Sequence, residues 1–292
     1  MTKSLDKLLT GVVAPKELSG VDDKRRSQTT HEYTYGISSD PLTHFAVVFS
    51  ALIHDVDHPG VPNTQLVKEG NDMARMYDGL SVAEQNSIDL SWKLLTESRY
   101  DALRRTICPT PEDAQRFRQL VVNTVLATDI VDKKLKNLRN ERWNRAFAMS
   151  DFHDSGGARS NINRKATVVI EHLIQASDVA HTMQSWYIYR KWNERFFREC
   201  YQAYLNGRAD RDPTIGWYQG ELGFFDYYII PLTKKLKDCG VFGEASGKYL
   251  EEAKRNRAEW EIRGQEVLSE MIENAKKENG QVTTTTTTMT TA

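Results

Sequence analysis

One short string constrains this chain more than any other part of it: residues 54–60 read H-D-V-D-H-P-G. Nine apolar or small residues, 45–53, come directly before it, and a Pro-Gly pair ends it. This pattern predicts a buried helix that brings two histidines and two aspartates to one place and then stops. Because buried charges are costly unless they are paired or coordinated, the string predicts a metal or proton-transfer site.

The chemistry of this site depends first on His54 and Asp55. Adjacent residues on a helix diverge by about 100°, so both reach one ion only near a helix end or across a cleft, and Gly60 supplies that end. Imidazole with carboxylate suits zinc or another first-row ion, and carboxylate with water suits magnesium or manganese. A metal pair also needs a carboxylate from a distant segment. Asp178, which ends another apolar run, is a candidate, although it also fits a helix cap.

The periodicity of the rest of the chain predicts an all-α fold, a compact multi-helix bundle without strands. Ser81 and Glu84 form an S-x-x-E capping box that would start one helix, with Val82, Ile88, Leu90, Trp92, Leu94 and Leu95 as its core positions. A break is expected near His181, and Pro231 should kink or interrupt a late helix. The predicted helices are 41–54, 81–98, 111–129, 166–205, 221–238 and 247–277, and the predicted loops are 153–163 and 206–216.

Charge and composition exclude several classes of protein. The 39 basic and 40 acidic residues give a net charge of −1, so no nucleic-acid partner is expected. No apolar run reaches the roughly 18–20 residues of a membrane span, so no membrane segment is predicted within this chain. Three scattered cysteines, without a zinc or disulfide pattern, favour a reducing, cytoplasmic setting, which is compatible with a larger membrane-tethered protein. Residues 279–292, which are rich in threonine, predict a disordered tail.

The H-D-x-D-H-x-G string after a buried apolar helix resembles the signature of the class I 3′,5′-cyclic-nucleotide phosphodiesterases, a branch of the HD metal hydrolases. The resemblance implies a phosphodiesterase-like catalytic domain over residues 1–278 and hydrolysis of cyclic GMP, cyclic AMP or both to 5′-monophosphates in signal transduction. It also implies two divalent ions, zinc in the tight site and magnesium or manganese in the second. A homodimer or upstream regulatory domains are the partners to consider.

The resemblance assigns metal ligands to positions that match the family's motifs. His54, Asp55 and Asp178 would bind the tight ion, and Asp55 would also bridge to the second. The family's H-x-A-D motif ends on Asp178, but Gln175 stands where its histidine should be.

A second group of residues would orient water around the ions. The resemblance places His58, Glu84 and Thr128 in this role, with Thr128 lying in the L-A-T-D segment 126–129. As bare sequence this segment is a weak signal, and Glu84 is equally well explained as a capping-box residue.

A third group would hold the base. The segment 221–226, E-L-G-F-F-D, matches the family's Q-x-G-F-x-D except at its first residue. Phe224 and Phe196 would clamp the purine, although aromatic residues at helical spacing are more often core. Glu221 replaces a glutamine, and since a carboxylate only accepts hydrogen bonds, it favours the adenine amine or the N1–H and 2-amino groups of guanine. Cyclic GMP is therefore a plausible preference. His181, in place of the family's asparagine, would contact the base or face solvent.

One expected motif, H-N-x-x-H, does not occur in residues 1–53. In the family it supplies the general acid for the leaving oxygen and a metal ligand. Two explanations compete: Met1 is an internal methionine of a longer protein, which the retained Asp55, Asp178, Thr128 and Phe224 favour, or the chain is a degenerate copy.

Two other functions are consistent with the sequence. The first is a catalytically impaired regulatory module that binds cyclic nucleotide; it would keep its affinity in EDTA, whereas the enzyme would lose turnover. The second is another HD-type phosphohydrolase without the aromatic clamp, and the G-F-F-D segment at 223–226 argues against it.

Overall fold

A computed structural model describes residues 1–12, 31–147, 157–242 and 246–289 of the chain. Within these ranges, the side chains of residues 157–161, 246 and 280–289 lie outside the description. The described residues are helical and contain no β-strand, which confirms the predicted all-α fold.

Helices follow one another along the whole described chain, separated by short connections. Their bounds are α1 Thr2–Thr10, α2 Pro41–Ile53, α3 Asn63–Lys68, α4 Asp72–Met76, α5 Val82–Leu95, α6 Asp101–Ile107, α7 Pro111–Leu126, α8 Lys133–Phe147, α9 Gly157–Asp178, α10 Trp186–Leu205, α11 Trp217–Phe224, α12 Ile230–Asp238 and α13 Ser246–Met289. Two 3-10 turns, Ser98–Tyr100 and Ala180–Met183, and a π-helical turn, Phe225–Ile229, lie between them.

Local sequence signals explain where several helices begin. Asp40 caps α2 by accepting a 3.1 Å hydrogen bond from the Leu42 amide, and Pro41 occupies the first turn, where its missing N–H costs nothing. Thr110 caps α7 in the same way, with Pro111 after it. The helix that carries the H-D string therefore has a fixed start, which sets where its C-terminal end places His54.

The bundle buries two main apolar clusters. The larger one gathers α1, α9, α10, α12 and α13 around fully buried side chains such as Leu173, Tyr189 and Trp260. The smaller one lies where α2 packs along α7 and α5, around Ala46 and Phe117. Because α2 is anchored between the two clusters, its C-terminal end is held against the end of α9. None of the described helices is long and apolar enough to cross a membrane.

Several predicted boundaries are confirmed. The break near His181 is the 3-10 turn between α9 and α10, and the interruption at Pro231 is the π-helical turn directly before it. Residues 206–216 connect α10 to α11 without regular helix, as predicted.

Other local predictions were wrong. Ser81 does not form the capping box: its backbone is left-handed, with φ 39°, and its hydroxyl donates to Asp129 instead. Leu90 and Leu94, predicted as core, are substantially exposed because only one face of α5 packs against α2 and α7. The predicted loop 153–163 is helical from Gly157 onward, and its earlier part, 153–156, lies outside the described residues.

The last helix extends further than its amphipathic pattern predicts. α13 continues to Met289, so its backbone is helical through part of the threonine-rich segment that composition predicts to be disordered. No proline follows Ser246 to interrupt the backbone hydrogen bonds. The predicted domain boundary at residue 278 stays a prediction.

Candidate active site

The H-D string sits where α2 ends and the chain turns away. His54 is the C-terminal cap of α2, and Asp57 and Gly60 have positive φ angles of 60° and 71°, which bend the chain immediately after it. The Nε2 atom of His54 lies 2.9 Å from an oxygen of Asp55 and 3.7 Å from an oxygen of Asp178. The fold therefore brings these three predicted ligands together, although 123 residues separate Asp55 from Asp178 in the sequence (178 − 55).

The electrostatics of this trio match its geometry. Burial alone would lower the pKa of His54, but the hydrogen bonds to Asp178 and Asp55 outweigh burial and raise that pKa to about 9. Burial likewise opposes the shift at Asp55, where the hydrogen bond and charge of His54 prevail and lower the pKa. A positive charge on this side of the site is thus favoured, and a proton on His54 supplies it in the metal-free chain.

The donor set of the trio suits a divalent metal ion, although it is incomplete as it stands. Among the described ranges, no group of three or more His, Cys, Asp or Glu side chains already has an arrangement that would hold an ion. The other ring nitrogen of His54, Nδ1, lies 3.1 Å from the carbonyl oxygen of Ala51, the second contact that usually orients a metal-binding histidine. With Asp55 and Asp178 facing Nε2, the residues fit part of the ligand set of a zinc-like ion.

A cavity of about 510 Å³ is lined by His58, three residues after Asp55 in the chain, and by Glu84, Thr128, Asn63 and Asp129. The three residues expected to orient water therefore share one cavity. His58 is near enough to both Asp55 and Glu84 for its charge to favour their ionised forms, although burial is the largest influence on the pKa of each carboxyl.

Two carboxylates on this cavity, the buried Asp129 and the partly buried Glu84, are linked by an amide. Asn63 donates a 2.9 Å hydrogen bond to Glu84 and a longer one, 3.4 Å, to Asp129, whose same oxygen accepts a 2.7 Å bond from Ser81. Burial raises the pKa of Glu84, the Asn63 bond lowers it, and the charge of Asp129 raises it again; the net shift is upward. Paired carboxylates of this kind suit a hard divalent cation.

Sequence reasoning missed Asn63 and the role of Ser81. Asn63 also accepts a 2.9 Å hydrogen bond from the Ala83 amide, so it caps α5 from α3, a contact between segments 20 residues apart. No local signal marks such a cap, because the donor and the acceptor meet only in the folded chain.

Gln175, which stands in the place of a family histidine, links two segments of the site. Its amide donates a 2.8 Å hydrogen bond to the carbonyl oxygen of Ala127. This bond ties the end of α9, which carries Asp178, to the turn that carries Thr128.

The side chain of Glu221 is buried and hydrogen bonded. It is 9 % exposed, and the Tyr189 hydroxyl donates to one of its oxygens over 2.6 Å. Burial raises the pKa of Glu221 to about 7, against the opposing effect of the Tyr189 bond. Glu221 therefore changes charge near neutral pH, a property that the sequence does not reveal. Tyr189 was also missed, since its spacing marks it only as core.

The two aromatic residues of the expected clamp have different surroundings. Phe196 is 55 % exposed, packs on Trp217 and, with Glu221, lines a cavity of about 500 Å³. Phe224 is partly buried and stacks on Tyr228 at 5.3 Å between ring centroids. The clamp stays a prediction, with Phe196 and Glu221 on one cavity and Phe224 packed beside Tyr228.

His181 packs against aromatic rings. Its ring is parallel to that of Tyr189 and also close to Trp192, at 6.4 Å between centroids in both cases. Burial lowers the pKa of His181 to about 4. The imidazole is therefore neutral at pH 7. Tyr189, whose ring is parallel to it, is also the residue that donates a hydrogen bond to Glu221.

A helical bundle that gathers a histidine and carboxylates beside such a cavity defines a candidate metal-dependent hydrolase. The sequence profile of the 3′5′-cyclic nucleotide phosphodiesterase family matches residues 28–245, most of the chain. The chain belongs to this family.

Curated relatives and solved structures agree with this assignment. A probable 3′,5′-cyclic-AMP phosphodiesterase, pde-4, from Caenorhabditis elegans is 25 % identical over 236 residues, 74 % of this chain and 32 % of its own length. The mouse (Mus musculus) 3′,5′-cyclic-AMP phosphodiesterase 4C is 28 % identical over 202 residues, 66 % of this chain and 28 % of its own length. The chain thus spans about a third of the length of these relatives.

Two solved structures share the fold. The phosphodiesterase domain of the RhoPDE fusion protein from the choanoflagellate Salpingoeca rosetta aligns with a TM-score of 0.64 at 17 % identity, covering 93 % of this chain and 91 % of that one. A second structure, the phosphodiesterase domain of the rhodopsin phosphodiesterase from the same organism, gives 0.62 at 20 % identity, with 93 % and 83 % covered. At these identities the likeness shows the fold alone.

Proposed function

We propose that this chain hydrolyses 3′,5′-cyclic nucleotides to 5′-monophosphates with the help of two divalent metal ions. The observation that carries the proposal is the convergence of His54, Asp55 and Asp178 beside the Glu84–Asp129 cavity, in a chain that belongs to the phosphodiesterase family. Both curated relatives named above are cyclic-AMP phosphodiesterases, which supports the substrate class.

The residues present divide between two ion sites. His54, Asp55 and Asp178 would hold the first ion, while Glu84 and Asp129 would accept hydrogen bonds from water around the second. When bound, the ions supply an activated water and offset the phosphate charge.

His58 and the turn that carries Thr128 shape the reacting end of the cavity. The Nδ1 atom of His58 accepts a 3.2 Å hydrogen bond from the Gly60 amide, which leaves Nε2 as the nitrogen that can donate to a water or a phosphate oxygen. Thr128 donates its hydroxyl proton to the Val125 carbonyl over 2.7 Å. Its oxygen can therefore only accept a hydrogen bond from a water. Both side chains therefore orient water or the phosphate group, and neither acts as the nucleophile.

The base would lie in the cavity shared by Phe196 and Glu221. A base that stacks on an aromatic side chain gains about 1–3 kcal/mol, and the exposed face of Phe196 is available for this contact. Ionised Glu221 accepts hydrogen bonds and suits the N1–H and 2-amino donors of guanine. Protonated Glu221 offers one donor and one acceptor and suits adenine N1 and its amine. Glu221 is thus the residue we assign to base selection.

The experiment that tests the proposal is a hydrolysis assay on this chain. Cyclic AMP and cyclic GMP are incubated separately with the protein and Mg²⁺, Mn²⁺ or Zn²⁺, and the 5′-monophosphates are quantified by chromatography. We expect metal-dependent turnover that falls more than about 100-fold in Asp55→Ala, by analogy with lost metal-site contacts. The matched control Asp89→Ala, an exposed aspartate on α5, should keep its rate.

Binding of nucleotide in EDTA distinguishes the alternative. If no metal supports turnover and the chain still binds cyclic nucleotide after chelation, the regulatory binding module is the correct function and the hydrolytic proposal is wrong.

A further inference from the structure

A second, smaller cavity lies on the other side of the turn that carries Thr128. It has a volume of about 150 Å³ and lies between α8, α9 and α12. Three basic side chains line it: Lys136 and Arg139 from α8, and Lys235 from α12. We call it the cationic cavity. Ile130 contributes to both this cavity and the candidate catalytic one, so the two are neighbours that share a wall.

The positive charge of the cationic cavity is not neutralised by its own lining. Asp and Glu are absent from the described residues that line it. A neighbouring buried carboxylate, Glu171, forms an ion pair at 2.8 Å with Arg142, a fourth basic residue. The charges of Glu171 and Asp129 also act on Arg139, and that of Glu171 acts on Lys235. Four cations, Lys136, Arg139, Arg142 and Lys235, therefore face two carboxylates, and the balance around the cavity is positive.

The pKa values of two groups that line the cavity are lowered by burial and by this positive charge. Burial lowers the pKa of Lys235, and the charges of Arg139 and Lys136 lower it further. Burial lowers the pKa of His172, which also lines the cavity, to about 3, and the charge of Lys235 is the next largest contribution. Cations held this close together repel one another, and a bound anion would relieve that repulsion.

The basic groups are held in place by uncharged partners. Lys235 donates to the side-chain oxygen of Asn140 at 2.8 Å, which leaves two of its three protons for a ligand. Arg139, only 6 % exposed, donates to the carbonyl oxygens of Asp129 at 2.7 Å and Leu126 at 3.5 Å. Such contacts fix the direction of the donors while leaving the charge available.

We propose that the cationic cavity is a binding site for a small oxyanion, a phosphate group either free or as a monoester. Its volume corresponds to about five waters of roughly 30 Å³ each, which is the size range of one phosphate group and too small for a whole nucleotide. The exposed Lys136 and Tyr227 stand at its mouth, so an ester substituent can extend outward. This site is separate from the one assigned to hydrolysis and does not depend on that assignment.

The cavity is also connected to the catalytic turn. Arg139 holds the carbonyl oxygens of Leu126 and Asp129, and Gln175, another lining residue, holds that of Ala127. An anion that binds Arg139 therefore competes with the hydrogen bonds that Arg139 makes to the backbone on either side of Thr128.

The test is a direct binding measurement on the whole chain in EDTA, so that metal ions at the candidate active site cannot bind the phosphate. Inorganic phosphate is titrated by isothermal calorimetry at constant ionic strength, with chloride as the reference anion. We expect saturable binding with a dissociation constant near or below about 1 mM. Lys235→Gln should weaken it about tenfold or more, whereas Lys234→Gln, an exposed lysine beside it, should not.

A second variant and a second ligand complete the design. Lys136→Gln changes only an exposed side chain, so its loss of affinity supports the site even where Lys235→Gln fails to fold. Glycerol 2-phosphate that binds as tightly as phosphate identifies a monoester ligand, and binding of inorganic phosphate alone identifies the free ion. Absence of saturable binding, or binding that both variants leave unchanged, would overturn the proposal.

Discussion

The Tyr189 hydroxyl lies 2.6 Å from a carboxylate oxygen of Glu221 and donates a hydrogen bond to it inside the bundle. Burial raises the pKa of Glu221 to about 7, well above its ordinary value of 4.5. The folded chain therefore keeps a proton on Glu221 over a pH range in which the unfolded chain has released it.

The first prediction is a pH-dependent difference in stability. Because the folded-state pKa is raised, the stabilising contribution of this proton is complete below about pH 4.5 and is lost as pH rises through about 7. Glu221→Gln has no proton to lose and can still accept the Tyr189 bond. From pH 5 to pH 8 the free energy of unfolding of Glu221→Gln should therefore rise by roughly 2–3 kcal/mol relative to wild type. Urea unfolding at several pH values checks this, and parallel curves for the two proteins would contradict it.

A second prediction concerns substrate preference. Ionisation of Glu221 removes its only donor, so the ratio of kcat/KM for cyclic GMP to that for cyclic AMP should increase between pH 6 and pH 8. We expect a change of about tenfold, the value of one good hydrogen bond to a charged group. In Glu221→Gln the ratio should stay flat, since an amide does not titrate in this range. If the ratio changed with pH equally in both proteins, a residue other than Glu221 would determine the selectivity.

The third prediction is that Asn63 stabilises the pair of carboxylates. Asn63→Ala removes its bonds to Glu84, Asp129 and the Ala83 amide. Glu84 and the Ala83 amide lose this partner, whereas Asp129 keeps the bond from Ser81. The free energy of unfolding in metal-free buffer should fall by about 1–3 kcal/mol. The control is Gln65→Ala on the same helix, whose side chain bonds only to the surface residue Glu69 and whose effect should stay within about 0.5 kcal/mol. Equal losses in the two variants would show that Asn63 has no special role.

The fourth prediction concerns added metal. Zn²⁺ or Mn²⁺ at about 100 times its dissociation constant should stabilise the folded chain by about 2.7 kcal/mol, because binding is linked to folding. His54→Ala should lose most of this gain. His44→Ala, at the opposite end of the same helix α2, should keep it. Calorimetric melting with and without EDTA measures this gain. If metal raised the melting temperature of His54→Ala as much as that of the wild type, the ion would bind elsewhere.

A fifth prediction concerns the packing of α13. Alanine is favoured over glycine inside a helix by about 1 kcal/mol, yet a Cβ added at Gly264 would lie 2.8 Å from the ring of the fully buried Trp260. Gly264→Ala should therefore destabilise the chain by about 1–3 kcal/mol, in the range of overpacked cores. Gly247→Ala, in the same helix with nothing within 4 Å of the added carbon, should be neutral or slightly stabilising. A gain in melting temperature for Gly264→Ala would contradict the close packing.

Much of the fold could be predicted because it depends on local patterns. Helix α2, the break at His181 and the interruption at Pro231 follow from apolar periodicity, capping residues and the backbone chemistry of proline. The capping box at Ser81 could not be judged in this way, since Asp129, from a segment 48 residues away, takes its hydroxyl proton. The exposed Leu90 and Leu94 were mistaken for core because periodicity does not show how many faces of a helix are covered.

The sequence by itself determined the family, the helical architecture and the kinds of atom at the site. It did so because the H-D string, the aspartate at 178 and the segment 221–226 are contiguous signals that need no knowledge of the packing. The tertiary structure alone decided that the Nε2 atom of His54 faces two carboxylates, that Asn63 joins Glu84 to Asp129, and that Tyr189 holds Glu221. Distances between segments far apart in the chain, and the desolvation that shifts a pKa, arise only when the helices pack.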